Sequence, residues 1–216
     1  MKKSDLVQTE KGTKERILDA AIDLFAKWGY DNVSIREIAR EVGIRESSIY
    51  NHYKGKEELM DTIIDYFITE LTRADTFDVQ MEVLLEKYGA EGFMSMGAQG
   101  YLQKINTPRI AKIWRIISIE LFRNEKVRKF FKTTMVEVPV AAWEQTFRKM
   151  MELGYIRECD TRILATEFFY HCIYLYFDYF IIRFEETMYD TFTDDMLKDL
   201  APHIKFIFEA VKPKEA

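Results

Sequence analysis

Apolar residues recur at helical spacing along nearly the whole chain. From about Lys11 to Trp28 they fall at Ile17, Leu18, Ala21, Ile22 and Phe25, with acids and bases on the opposite face. Gly29 supplies a stop and Asp31-Asn32 a turn. Short helices are predicted over Ile35–Val42 and Glu46–His52, and Gly55 caps a fourth, whose buried face is Leu59, Ile63, Tyr66, Phe67 and Leu71. A loop at Thr76–Asp78 precedes a long helical pattern through Leu84, Tyr88, Phe93 and Met94 to Ile105, interrupted at Gly89, Gly92, Gly97 and Gly100. Such a helix either bends as a pocket wall or packs closely on its small residues. Asn106-Thr107-Pro108 starts the next helix, with stripe Ile110, Ile113, Trp114, Ile117 and Leu121. Glu125–Gly154 reads as one helix kinked at Pro139. Two helices close the chain: Arg162–Met188, aromatic almost all round, and Thr193–Val211, with a break or kink at Pro202.

Ser34 to Lys56, SIREIAREVGIRESSIYNHYKGK, organises the N-terminal part. Ser34 and Glu37 form an S-x-x-E capping box. Ala39 is small where two helices cross, Gly43 can take the left-handed turn between them, and Ile49 plugs the second helix against Ile38 and Val42. This spacing fits a helix-turn-helix, although an ordinary helical hairpin shares it.

Composition agrees with an all-α chain: 48% hydrophobic and 14% aromatic residues leave only 9 Gly and 4 Pro to make turns in 216 residues. Disorder is expected only at the ends, Met1 to about Thr9 and Lys212 to Ala216. The net charge of -5 does not advertise a nucleic-acid partner. Residues 1–60 carry 11 Lys/Arg and 11 Asp/Glu, so a DNA-binding surface there must be asymmetric, with Arg36, Arg45, Lys54 and Lys56 on one side. Few phosphate contacts per copy give weak binding, so two copies are required. Cys159 and Cys172 lack metal-site or redox spacing and read as small hydrophobes. No metal or cofactor is expected. The start of the chain has no signal-peptide run and no segment is long enough to span a bilayer, so a cytoplasmic protein without a membrane partner is expected.

Residues 13–60 resemble the N-terminal domain of TetR-type (TetR/AcrR) transcriptional repressors. The likeness rests on Ala-Ala-x-x-Leu-Phe in helix one, Gly29-Tyr30, Ser-Ile-x-x-Ile-Ala, Gly43, and Ile-Tyr-x-His-Tyr-Lys-x-Lys-Glu-x-Leu into helix four. It implies a helix-turn-helix DNA-binding domain over residues 1–55, joined by the fourth helix to a helical ligand-binding and dimerisation domain over residues 56–216. By resemblance and geometry together, Ser47, Ser48 and Asn51 would read base edges of double-stranded operator DNA. Ser34, Arg36 and Arg45 belong to the same surface, where Arg45 replaces the usual small cap before helix three and Glu46 either pairs with it or accepts from a cytosine amine. The resemblance puts Tyr50, His52, Tyr53, Lys54 and Lys56 at phosphates. Tyr53 could equally anchor the core, and His52 could pack on helix one.

The aromatic helix must be buried on every side, so one face is expected to meet a second copy. In the resembling proteins the two C-terminal helices form a four-helix bundle in a homodimer. Glu167, His171, Tyr174 and Asp178 lie on one stripe of that helix, which either faces solvent or lines a cavity with Met94, Tyr101, Trp114, Trp143, Phe147 and Met150. In the second case the effector is small and largely hydrophobic or aromatic. The expected function is a ligand-responsive homodimeric repressor. The rivals are a helical protein-interaction module and a small helical enzyme. For the enzyme, no phosphate loop, nucleophile elbow or metal-spaced His cluster appears.

Overall fold

A computed structural model describes residues 12–72, 77–183 and 191–213, and every regular element among them is helical. The chain divides into two compact units, Met1–Phe67 and Ile68–Ala216, with the division inside the fourth helix, whereas the sequence suggested a division at its start.

The first unit contains α1 (Thr13–Trp28), α2 (Ile35–Val42), α3 (Glu46–Tyr50) and the first part of α4 (Lys56–Thr72). Its core is the periodic apolar set: Ile17, Ala21, Ile22, Phe25, Ile38, Ile49, Leu59, Ile63 and Phe67 are all sealed from solvent. The capping box at α2 forms in full. Ser34 Oγ accepts from the Glu37 amide at 3.2 Å, and the Glu37 carboxylate accepts from the Ser34 amide at 2.8 Å. These bonds hold the Glu37 carboxyl below its ordinary range.

Gly43 ends α2 in the left-handed region, φ 75° and ψ 33°, and the Ile44 amide behind it reaches back to the Ala39 carbonyl at 3.0 Å. A Cβ on Gly43 would touch nothing within 4 Å, so an alanine there feels backbone strain alone. Gly43→Ala is expected to destabilise the chain by about 1–2 kcal/mol, read as a lowered denaturation midpoint at unchanged slope.

The second unit holds α5 (Phe77–Ile105), α6 (Pro108–Glu120), α7 (Glu125–Phe130), α8 (Val138–Glu152), α9 (Thr161–Phe177) and α10 (Phe192–Val211). Of the loop expected at 76–78, Phe77 and Asp78 lie in α5 and Thr76 lies outside the described residues. Among the four glycines of α5, the break falls at Gly89, with φ 68° and ψ 178°. Where a kink was expected at Pro139, the chain instead widens into a π-helical segment, Phe131–Glu137, ahead of the proline. Proline cannot donate to the carbonyl four residues earlier, and a wider turn accommodates that missing bond. The aromatic helix runs to Phe177 and continues as a second π-helical segment, Asp178–Ile182; residues 184–190 of the expected span, like the expected disordered ends 1–9 and 214–216, lie outside the described residues. α10 runs through Pro202 unbroken, and both Pro202 and Lys198, whose carbonyl loses its helical donor, are exposed.

The core of this unit is aromatic. Trp114 is fully buried and stacks on Tyr176 at 5.1 Å and on Phe180 at 6.3 Å between centroids, with the edge of Phe131 at 6.1 Å. Phe147 meets Phe168 edge-on at 5.9 Å, which ties α8 to α9. No helix among the described residues is long and apolar enough to cross a membrane.

Candidate DNA-reading surface and ligand cavity

α3 is a short helix held from below. Ile49 is completely buried, and the Arg16 guanidinium donates to the Val42 carbonyl at 2.6 Å, tying α1 to the end of α2. With Ile49 pinned inward, the rest of α3 has one orientation: Ser47, Tyr50 and Asn51 are exposed and Ser48 is half-buried. Arg45 is the N-cap residue and makes no side-chain capping bond, so its exposed guanidinium is available at the head of the helix. Tyr50 and Glu46 line a shallow groove together with Asn32, Ser34, Arg36 and Lys56. Asn32, read from the sequence as a turn residue only, caps the Trp28 carbonyl with its side-chain amide at 2.9 Å.

Two residues read as phosphate contacts have other work. Tyr53 is 3% exposed and its hydroxyl donates to the Lys14 carbonyl at 3.2 Å, so it anchors the core and does not stand on the surface. Lys56 donates to the Tyr30 carbonyl at 2.6 Å, with its ammonium 4.3 Å from the Tyr30 ring centroid. His52 is half-buried, and Lys54 is exposed with its backbone amide bound to the Glu58 carboxylate.

The second unit contains a cavity of about 380 Å³, lined by the last turns of α4, by α5 beyond its break, by the π-helical segment and start of α8, and by one face each of α9 and α10. Met94, Tyr101 and Trp143 stand on its wall. Trp114, Phe147 and Met150 do not; all three are fully buried core. The stripe Glu167, His171, Tyr174 and Asp178 does not line it either: Glu167 is exposed and Tyr174 is 57% exposed. The cavity-facing stripe is the neighbouring one, Phe169, Cys172 and Tyr176 at i, i+3 and i+7. Asp178 instead pairs with Arg183, whose guanidinium also lies 4.3 Å from the Tyr179 ring. No group of three or more His, Cys, Asp or Glu among the described residues could hold a metal ion.

His171 and His203 stack at 4.0 Å between centroids, joining α9 to α10. Burial pushes both imidazoles below their ordinary 6.5, and His171 pushes His203 further, against weaker upward pulls from Asp199 on the first and from the Phe168 backbone and Glu167 on the second. A depressed folded-state value means the unfolded chain binds more protons. The contribution to stability is therefore complete above pH 6.5 and is lost as pH falls through the lower folded values. Melting temperature should fall between pH 7 and pH 5 by calorimetry, and His203→Gln should flatten that fall.

The outward-facing α3, pinned by Ile49 behind a left-handed glycine turn, defines the first unit as a helix-turn-helix DNA-binding domain. Residues 17–63 match the family described as bacterial regulatory proteins, tetR family. Over 64 residues the chain is 39% identical to the biofilm operon icaADBC HTH-type negative transcriptional regulator IcaR of Staphylococcus epidermidis, a segment covering 28% of this chain and 35% of that protein. The chain thus spans about a third of the length of this curated relative. In fold, it is similar over 91% of its length to a transcriptional regulator from Aquifex aeolicus VF5, with TM-score 0.63, 23% identity and 99% of that chain covered. It is also similar over 94% of its length to the protein in the SmeT–triclosan complex, with TM-score 0.60, 19% identity and 93% of that chain covered. These two likenesses concern the fold of both units.

Proposed function

We propose that the chain is a ligand-responsive, homodimeric transcriptional repressor acting on double-stranded operator DNA in the cytoplasm, and not an enzyme. The observation that carries this reading is the outward face of α3, where Ser47, Tyr50 and Asn51 stand exposed over a fully buried Ile49. Short hydroxyl and amide side chains on such a helix suit base edges in a major groove, and Arg36 and Arg45 suit the flanking phosphates. Each copy carries few basic groups on a unit with balanced charge, so two heads bound one helical turn apart, or a multiple of it, supply the affinity.

The homodimer reading is supported by apolar side chains left uncovered on the two C-terminal helices. Ile163, Tyr170 and Tyr174 form one stripe of α9, and Phe206 stands on α10 at 70% exposure. The cavity supports an effector site for a small, largely hydrophobic or aromatic molecule, and SmeT, whose fold is similar, forms a complex with triclosan. Ile68 and Leu71 of its wall belong to α4, the helix whose first residue is held against Tyr30, which supports effector control of DNA binding through that helix. An effector can act only through its different affinity for the DNA-bound and free forms.

The test is binding of the purified chain to the DNA upstream of its own coding region. A linear fall of log affinity with log salt is expected, with a slope of about −0.9 per phosphate neutralised. Salt-independent binding, or none to any DNA fragment, would leave the helical hairpin as a protein-contacting module.

A further inference from the structure

The cavity wall includes a break in the helical hydrogen-bond ladder. In the π-helical segment Phe131–Glu137 each amide reaches back five residues instead of four. The last of these bonds runs from the Val138 amide to the Thr133 carbonyl. The Thr134 carbonyl therefore loses its α-helical donor, because the Val138 proton is already committed one residue back. Its π-helical donor would be residue 139, and that residue is proline, which has no N–H. Thr134 is left with a main-chain acceptor that neither register of its own helix satisfies. A helical carbonyl points along the axis toward the residues four and five ahead. For Thr134 these are Val138 and Pro139, and all three residues line the cavity, so the open acceptor lies on its wall.

We propose that the Thr134 carbonyl is the polar anchor of the effector, and that the effector is a largely apolar or aromatic molecule carrying an O–H or N–H donor, a phenol being the simplest case. This rests on the cavity being the effector site proposed above. The apolar body meets Met94, Trp143, Phe168 and Leu175 on the same wall, and one well-placed polar group fixes its orientation. An O–H that reaches the carbonyl supplies the bond that Pro139 withholds. A hydrocarbon of the same shape is accepted but leaves the acceptor unmet. An ether of the same shape gains nothing either, because it sets one lone pair against another.

Three naphthalenes of matched body separate these cases by calorimetric titration of the full-length chain: 2-naphthol, 2-methoxynaphthalene and 2-methylnaphthalene. The naphthol should bind about fivefold tighter than the hydrocarbon, and the ether no tighter than the hydrocarbon. Pro139→Ala puts an amide where the ladder lacks one, so the Thr134 carbonyl finds a donor in its own helix in either register. In that variant the naphthol's advantage should vanish while 2-methylnaphthalene binds within about twofold of its original affinity, which also reports an intact cavity. Thr134→Val removes the side-chain hydroxyl and keeps the main-chain carbonyl, so the advantage should persist. An advantage that survives Pro139→Ala or is lost in Thr134→Val overturns the inference, as does the ether binding as tightly as the naphthol. Should Pro139→Ala not fold, the naphthol's lead over both other probes, kept in Thr134→Val, upholds the inference, and its absence overturns it. Binding of all three without preference overturns this inference and spares the effector site; no binding by any of them overturns both.

Discussion

Alanine at Tyr50 is expected to abolish operator binding while the chain stays folded. Tyr50 is 54% exposed at the end of α3, on the rim of the groove it shares with Arg36 and Ser34, and the packing of that helix is carried by its neighbour Ile49. Removing an exposed ring costs the fold within about 0.5 kcal/mol. A hydroxyl bound to a charged phosphate is worth about 1.5–3 kcal/mol, and a dimer loses it at both half-sites. The sum is two decades of affinity or more, read by fluorescence anisotropy on the operator fragment beside a thermal melt. Undiminished affinity would remove α3 from the DNA. Lys56→Ala behaves differently: its ammonium is bound to the Tyr30 carbonyl and ring, so this variant should also lose about 1 kcal/mol of stability. Only the tyrosine variant separates reading DNA from holding the domain together.

The first unit was legible because its determinants are local. A capping box is written within four residues, Ser34 to Glu37, and both of its bonds form. The left-handed turn needs one residue type at one place, and Gly43 supplies it. Tyr53 shows where local reading stops. An aromatic three residues after Tyr50 could face out or in, and only the carbonyl of Lys14, 39 positions earlier, decides for the core.

The second unit was legible as helices and poorly legible as a site. Periodicity found every long helix, yet α9 is apolar on several faces and its amphipathic direction carries no signal. Polar residues at 167, 171, 174 and 178 drew attention to one stripe, whereas the cavity lies against the neighbouring one at 169, 172 and 176. Which face meets a cavity is decided by how α5, α8 and α10 pack around it, and that information is non-local. Similarly, Trp114 and Phe147 have the composition of pocket residues, but their neighbours close over them.

That same solvent-side stripe leads to the second large effect. The face of α9 turned away from the cavity keeps Ile163, Tyr170 and Tyr174 in solvent, and Phe206 of α10 is the most exposed large apolar residue of that helix. In a two-fold symmetric bundle each of these would meet the same surface of its mate. Arginine at both Tyr174 and Phe206 therefore brings unpaired like charges into an apolar interface from both copies at once. Each uncompensated buried charge is worth several kcal/mol, enough to dissociate a dimer at micromolar concentration. Sedimentation should report a monomer for Tyr174→Arg/Phe206→Arg, with helical content by circular dichroism unchanged, because both side chains are more than half exposed in their own chain. Operator affinity should then fall to the 10⁻⁴–10⁻⁶ M of non-specific binding, about the level expected of one head alone. A variant that stays dimeric at every concentration would move the interface away from α9 and α10. A monomer that keeps full operator affinity would overturn the need for two copies, which follows from the even charge of residues 1–60. The dimer surface and the DNA surface thus test each other, because a domain with 11 basic and 11 acidic residues binds DNA well only when it is present twice.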